Sequence, residues 1–435
     1  MLSLRKAIDS SEYYNIISGN SVVLAMKFND KETVKHVIEK MKNEILGLNL
    51  RVDGNFFVKR NKEDIKVHDI PSSTHFESIQ KLTEWTTYKN IPNMKHELGT
   101  ISANDDTIVL NLNHSVSDGK YIAGVVNHIS DEIRKQIDNY FPITFDEEFS
   151  EEIKERLKSP PKFFENDPNI TIFSKFGMKR VDREILHDSV YDTKSFSNYD
   201  PKKKVCSNMT AAILTGYSLS LSILEGKDDV FNIGGSLAVD MRKVLKEKKS
   251  QKISNLLTTS PIASHSKYSL SLNHANFFSI IPIAIHVTPQ TRIDQCYKEL
   301  NAVMKNQLVD HKEDLFDFRC SMNFTNPTPR KNGVIVGFSN LGPIQIKDPI
   351  KDLYLLNIDF NIVFPYIILF TYSIIDEKNN RNDFHAQVRY ECNGLTKEQS
   401  DNLSKLFKFY LQTVKTSNTI GEIFKEMKSF QKGNK

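Results

Sequence analysis

The stretch TIVLNLNHSVSDGKYIAGVV, residues 107–126, changes period in its middle. Ile108, Leu110 and Leu112 alternate with Val109, Asn111 and Asn113, the period of two that belongs to a β-strand. One further residue of strand puts His114 on the same inward face as Ile108, Leu110 and Leu112. Beyond Asp118, the spacing of Ile122, Val125, Val126 and Ile129 is helical. The stretch therefore predicts a strand, a tight connection and a helix, with His114 ending the strand and Asp118 and Gly119 opening the helix.

Working outward, NSVVLAMKF (20–28) reads as a strand and 31–46 as an amphipathic helix. Val34, Val37, Ile38, Met41 and Ile45 recur at helical spacing, Asn29 with Glu32 resembles a capping box, and Gly47 sits where a helix stops. A strand feeding such a helix predicts α/β layering. Periodicity weakens from about 140 to 205, which reads as a crossover between two halves. Residues 207–224 are apolar on nearly every face and predict a buried helix. Strands follow near 229–242, 277–287, 333–339 and 366–375, with helices at 292–308 and 397–414, the last opened by Thr396 and Gln399 as a capping box. In DFHAQVRYEC (383–392), Phe384, Ala386, Val388 and Tyr390 face one way, and His385, Gln387, Arg389 and Glu391 face the other.

A chain of 435 residues with 39% hydrophobic content can bury a large core and is too long for one small domain. The net charge of +4 is diluted over so large a surface, so it argues for neither nucleic acid nor an anionic membrane, and a small or neutral partner is the default. Cys206, Cys296, Cys320 and Cys392 are widely spaced and show no zinc or disulfide framework, so a reducing cytoplasm is expected. The opening MLSLRKAIDSSEYYNI lacks the apolar run of a secretory signal, so the Asn-x-Ser/Thr triplets at Asn113, Asn169, Asn208 and Asn323 are expected to stay unglycosylated. The apolar stretch 361–375 is short for a spanning helix and carries Pro365 among β-branched and aromatic residues, so buried strand and no transmembrane segment are expected.

His114, Asp118 and Gly119 together spell HxxxDG. This resembles the motif of the coenzyme A-dependent acyltransferase superfamily with the chloramphenicol acetyltransferase-like fold. Three further stretches are similar to its segments and follow in its order: RKAIDSSEYY (5–14), GGSLAVDMRK (234–243) and FSNLG (338–342). Condensation domains usually carry a second histidine before the first motif residue, where this chain has Asn113. Plant-type members carry a tryptophan in a DFGWG stretch near the C-terminus, yet the single tryptophan here is Trp85. The resemblance is thus to the alcohol O-acetyltransferase, polyketide-associated and condensation-domain-like branch. It implies an α/β (α+β) fold of two such halves, 1–178 and 179–435, each a mixed β-sheet flanked by helices, with a tunnel at their interface.

The implied chemistry suits the residue types. An imidazole with a reference pKa of about 6.5 is largely neutral at cytosolic pH and can take the proton of an attacking hydroxyl or amine. His114 is accordingly expected as general base, returning the proton to the departing thiolate with no covalent enzyme intermediate. By the family's pattern Asp118 pairs with Arg242 from the other half and fixes the loop that carries His114, and Gly119 lets the backbone turn closely into the helix. Ser339 and Asn340 are candidate oxyanion donors. Acyl-CoA enters as co-substrate and a small molecule as acyl acceptor; no permanently bound cofactor, no metal, no nucleic acid and a monomer are expected.

Plainer readings stand beside these. Taken without the resemblance, His114 is a core histidine at a strand end, Asp118 a helix N-cap and Arg242 a surface arginine. Lys202 to Lys204 lie near coenzyme phosphates in one reading and form a solvated surface run in the other. His128, His265, His274 and His286 have no setting comparable to that of His114. The functional alternatives are a condensation-like domain using a carrier-bound donor, and a non-catalytic binding relative.

Overall fold

The computed structural model describes residues 5–72, 76–130, 141–158, 172–173, 180–230, 232–244, 275–310, 315–321, 334–359, 367–392 and 395–433. The expected boundary between residues 178 and 179 lies outside the described residues. The chain is α/β, with mixed sheets flanked by helices, and it divides into two compact units. Residues 1–153, 240–278 and 345–361 make the first; residues 154–239, 279–344 and 362–435 make the second.

In the first unit a five-stranded sheet runs in the order Asp352–Ile358, Ser21–Lys27, Thr107–Asn113, Gly99–Ala103, Val67–Asp69. The pairs are antiparallel except the last, Val67–Asp69 with Gly99–Ala103, which is parallel. Asn113 lies opposite Ser21 and Leu110 opposite Leu24, so the two strands read best from sequence are central neighbours. The outer strand Asp352–Ile358 was not foreseen; it pairs along its whole length with Ser21–Lys27 and carries a distant stretch of chain into this unit. A second sheet of Arg5–Ala7, Phe56–Lys59 and Leu50–Asp53 completes the unit's strands among the described residues.

Helix Lys31–Glu44 buries Val34, Val37, Ile38 and Met41 as its spacing requires, and its N-cap is Asp30 rather than Asn29. The Asp30 carboxylate reaches the N–H of Thr33 at 2.8 Å from an extended backbone, which satisfies an amide left open at the first helical turn. Every residue of Thr107–Asn113 is buried, including the alternate set Val109, Asn111 and Asn113. Helices Lys31–Glu44, Ile79–Lys89 and Gly119–Ser130 pack on this sheet, so the alternation marks two different interior faces rather than an inside and an outside.

The second unit holds a seven-stranded sheet with the path Phe278–His286, Asn232–Asp240, Val334–Gln345, Ile367–Asp376, Arg381–Cys392, Arg180–Asp192; Ile172–Phe173 pairs with Val334–Gln345 off that path. Helix Met209–Leu224 is buried from Ala211 to Ile223, and helix Lys397–Thr413 opens with the expected capping box of Thr396 and Gln399. The strand Arg180–Asp192 falls where a crossover was expected. It ends the sheet path and pairs through Arg381–Cys392, and a strand with one paired edge need not show an apolar run. The polar face of 383–392 is not solvated either: His385, Gln387 and Arg389 are 4%, 0% and 2% exposed. The Tyr372 ring stacks on His385 at 4.6 Å and the Asp188 carboxylate lies 3.7 Å from it, which supplies polar company for a buried polar row. Part of the apolar stretch 361–375 is the strand Ile367–Asp376, and no helix among the described residues is long and apolar enough to cross a membrane.

Candidate active site

The strand Thr107–Asn113 ends one residue before His114, which opens a 3₁₀ turn, His114–Val116. His114 therefore leaves the inward face on which a longer strand would have placed it. Asn113, Ser115, Val116, Ser117 and Asp118 are all buried, whereas His114 retains intermediate exposure. Its N–H donates to the carbonyl of Asn20 at 2.7 Å, and its ring meets the Phe278 ring edge-on at 5.2 Å. Ser117 Oγ donates to the Asn113 carbonyl at 3.1 Å, closing the turn with a side chain where helical bonding has not begun.

Asp118 caps the helix Gly119–Ser130 and anchors it at once. One carboxylate oxygen, Oδ1, accepts the N–H of Tyr121 at 2.8 Å. The other, Oδ2, accepts from Arg242 Nη2 at 2.9 Å and from the Phe277 N–H at 2.8 Å. The N-cap and ion-pair readings are thus both satisfied by one side chain. Arg242 Nη1 donates to Asp240 Oδ1 at 2.9 Å, and Nη2 also reaches the Ala275 carbonyl at 3.3 Å. Burial opposes the Arg242 charge, but the carboxylates of Asp118 and Asp240 outweigh it and hold the guanidinium above its ordinary pKa. At 5% exposure Arg242 is no surface residue. It comes from residues 240–278, which group with the unit of His114 and not with the other half as the family pattern implied.

Lys120 follows Gly119, and burial lowers its pKa despite the opposing pull of Asp240. Gly119 is the first helical residue; positive φ among the described glycines falls at Gly19, Gly54, Gly226, Gly234 and Gly342, so left-handed backbone does not account for it. Ser339 and Asn340 lie in the second unit, inside the strand Val334–Gln345. Asn340 Oδ1 accepts the N–H of Gly342 at 3.0 Å and its Nδ2 donates to Thr210 Oγ1 at 3.3 Å. Lys202, Lys203 and Lys204 are exposed between the short strands Tyr199–Asp200 and Val205–Cys206, the setting of a solvated run. His128 is buried against Glu44, and His265 and His274 lie outside the described residues.

Sequence reasoning brought His114, Asp118 and Arg242 into view and missed partners of each, among them Asp240, the Phe277 amide and the Asn20 carbonyl. Asp240 stands two residues before Arg242 and had a signal in the quoted VDMR. The Phe277 amide and the Asn20 carbonyl are backbone groups and had none.

No protein-family model matches this chain, and no curated protein matches it. Its fold is similar to solved structures over nearly its full length. Polyketide synthase associated protein 5 from Mycobacterium tuberculosis shares 10% identity at a TM-score of 0.61, over 93% of this chain and 97% of that one. A variant starter condensation domain of rhizomide synthetase, in complex with C8-CoA, shares 9% at 0.64, over 97% of each chain. The first condensation domain of the calcium-dependent antibiotic synthetase, in complex with a substrate analogue, shares 12% at 0.62, over 97% of this chain and 99% of that one.

Proposed function

We propose that this chain is an acyltransferase that moves an acyl group, acetyl in the first instance, from a coenzyme A thioester to a hydroxyl or amine of a small acceptor, with His114 as general base. The observation that carries the reading is one residue of a locked turn that is not fully buried: His114 keeps intermediate exposure, with its Nδ1 covered, while Asn113 and Ser115 to Asp118 are buried around it. A core histidine would be buried with them. Likeness in fold to a condensation domain solved with C8-CoA supports an acyl thioester as donor.

In this reading the acceptor O–H or N–H gives its proton to the imidazole as its oxygen or nitrogen bonds to the thioester carbonyl carbon. The tetrahedral intermediate collapses with cleavage of the C–S bond, and the imidazolium returns the proton to the thiolate, leaving ester or amide and free coenzyme A thiol. Asp118 takes no part in proton transfer, because both of its oxygens are occupied by Tyr121, Arg242 and Phe277. It and Arg242 are positioning residues. Ser339 and Asn340 are the oxyanion donors of this proposal, on the resemblance of FSNLG alone. The chain would act as a cytoplasmic monomer with no resident cofactor.

The fold likeness to two condensation domains favours one second reading, a donor held on a carrier protein. Release of free thiol from acetyl- and longer acyl-CoA, with a panel of alcohols and amines, separates the two. Acceptor-dependent release that His114→Ala abolishes in a folded protein supports the free-donor reading. Turnover only with acyl groups on a carrier protein sinks it in favour of the second, and no turnover with either donor leaves a non-catalytic relative.

A further inference from the structure

The buried residue before His114 makes three side-chain hydrogen bonds. Asn113 is 0% exposed. Its Nδ2 donates to the carbonyls of Asn15 and Asn20, both at 3.0 Å, and its Oδ1 accepts the N–H of Ser115 at 2.9 Å. Its own N–H donates to the Leu98 carbonyl at 2.8 Å. The Asn15 carbonyl belongs to the last turn of helix Ser10–Ser18, which ends at Gly19 in left-handed backbone with φ 65°. The Asn20 carbonyl is the group that also receives the His114 N–H, at 2.7 Å.

Two donors, one from the Asn113 side chain and one from the His114 backbone, thus converge on a single carbonyl oxygen. The amide ties the helix end, the Gly19–Asn20 link and the 3₁₀ turn to one another from the two sides of His114, bonding before it at Asn20 and after it at Ser115. Only a side chain with two N–H donors and an acceptor on one planar group fills all three bonds. We infer that Asn113 is a positioning residue that sets the backbone, and hence the imidazole direction, of His114; its kinetic consequence rests on the acyl-transfer reading, while its structural consequence does not.

The test pairs two readouts on Asn113→Asp and Asn113→Ala. Aspartate keeps the acceptor for Ser115 and sets a carboxylate against the Asn15 and Asn20 carbonyls. One readout is the NMR resonance of the His114 imidazole, identified by its loss in His114→Gln; the other is the division of the kinetic change between kcat and KM. The expected result is a broadened or doubled resonance and kcat lower by about 100-fold, the scale of a misplaced catalytic group, with KM nearly unchanged. Ser102→Ala, which removes a hydroxyl bonded to Asn90 in the same sheet, is expected to move neither. If an Asn113 variant does not fold, the smaller change Asn113→Ser is read in its place. A lowered Tm with a single unshifted resonance and unchanged kcat marks a structural asparagine and overturns the inference. A wild-type protein with no turnover removes the acyl-transfer reading, and the resonance then decides the positioning by itself.

Discussion

Asp118 Oδ2 and Arg242 Nη2 are 2.9 Å apart, joining residues separated by 124 positions, and the side chains are 5% and 6% exposed. A pair so buried is held by its full set of hydrogen bonds rather than by attraction alone, because removing two charges from water is costly. Its members differ in what their loss leaves behind.

Arg242→Ala should destabilise the chain by about 3–5 kcal/mol, since Asp118 and Asp240 are left charged near a buried cavity. Urea unfolding followed by circular dichroism reads the change as a lower midpoint. Arg242→Lys should recover less than half of it, because an ammonium cannot present the planar fork that reaches Asp118 and Asp240 together. A lysine variant as stable as the wild type would contradict this account.

Under the proposed acyl-transfer function, His114→Ala should leave the fold intact and reduce that transfer by about 10²–10⁴-fold. The residue has intermediate exposure, so the two effects separate. Thiol release beside a melting curve checks both in one preparation.

Tyr121→Phe should be neutral or stabilising by up to about 2 kcal/mol. The phenol is 0% exposed, its oxygen has no hydrogen-bond partner among the described residues, and burial pushes its pKa well above the ordinary range. A clear loss of stability would mean that the hydroxyl has a partner, such as a bound water.

Gly47→Ala should destabilise by about 1–3 kcal/mol through overpacking. A Cβ there would lie 2.7 Å from Val116 Cγ2, in the His114 turn, and 3.2 Å from Leu112 Cδ2, in the strand before it. Activity should fall with stability, unlike the His114 variant.

Burial pushes the Cys296 thiol up from 9.0 to about 11. The neutral thiol is favoured by the fold, so its contribution is complete below pH 9 and disappears as pH rises through about 11. Denaturation midpoints measured between those limits should fall less steeply for Cys296→Ala than for the wild type.

The sequence by itself determined what short-range periodicity and side-chain chemistry carry. The change of period at residues 107–126 located a strand, a turn and a helix, and the helical stripe of Lys31–Glu44 and the capping box of Thr396 and Gln399 were likewise local. His114, Asp118 and Arg242 came into view through the resemblance carried by HxxxDG and GGSLAVDMRK; taken residue by residue they read as a core histidine, a helix N-cap and a surface arginine. Tertiary structure alone decided that Asp352–Ile358 joins the first unit's sheet, that Arg180–Asp192 is a strand, and that His385, Gln387 and Arg389 are buried. It also decided that the Phe277 amide and the Asn20 carbonyl close the site. Backbone N–H and C=O groups are the same in every residue, and pairing between distant strands is selected by the packing of the whole chain, so neither leaves a local mark in the amino-acid order.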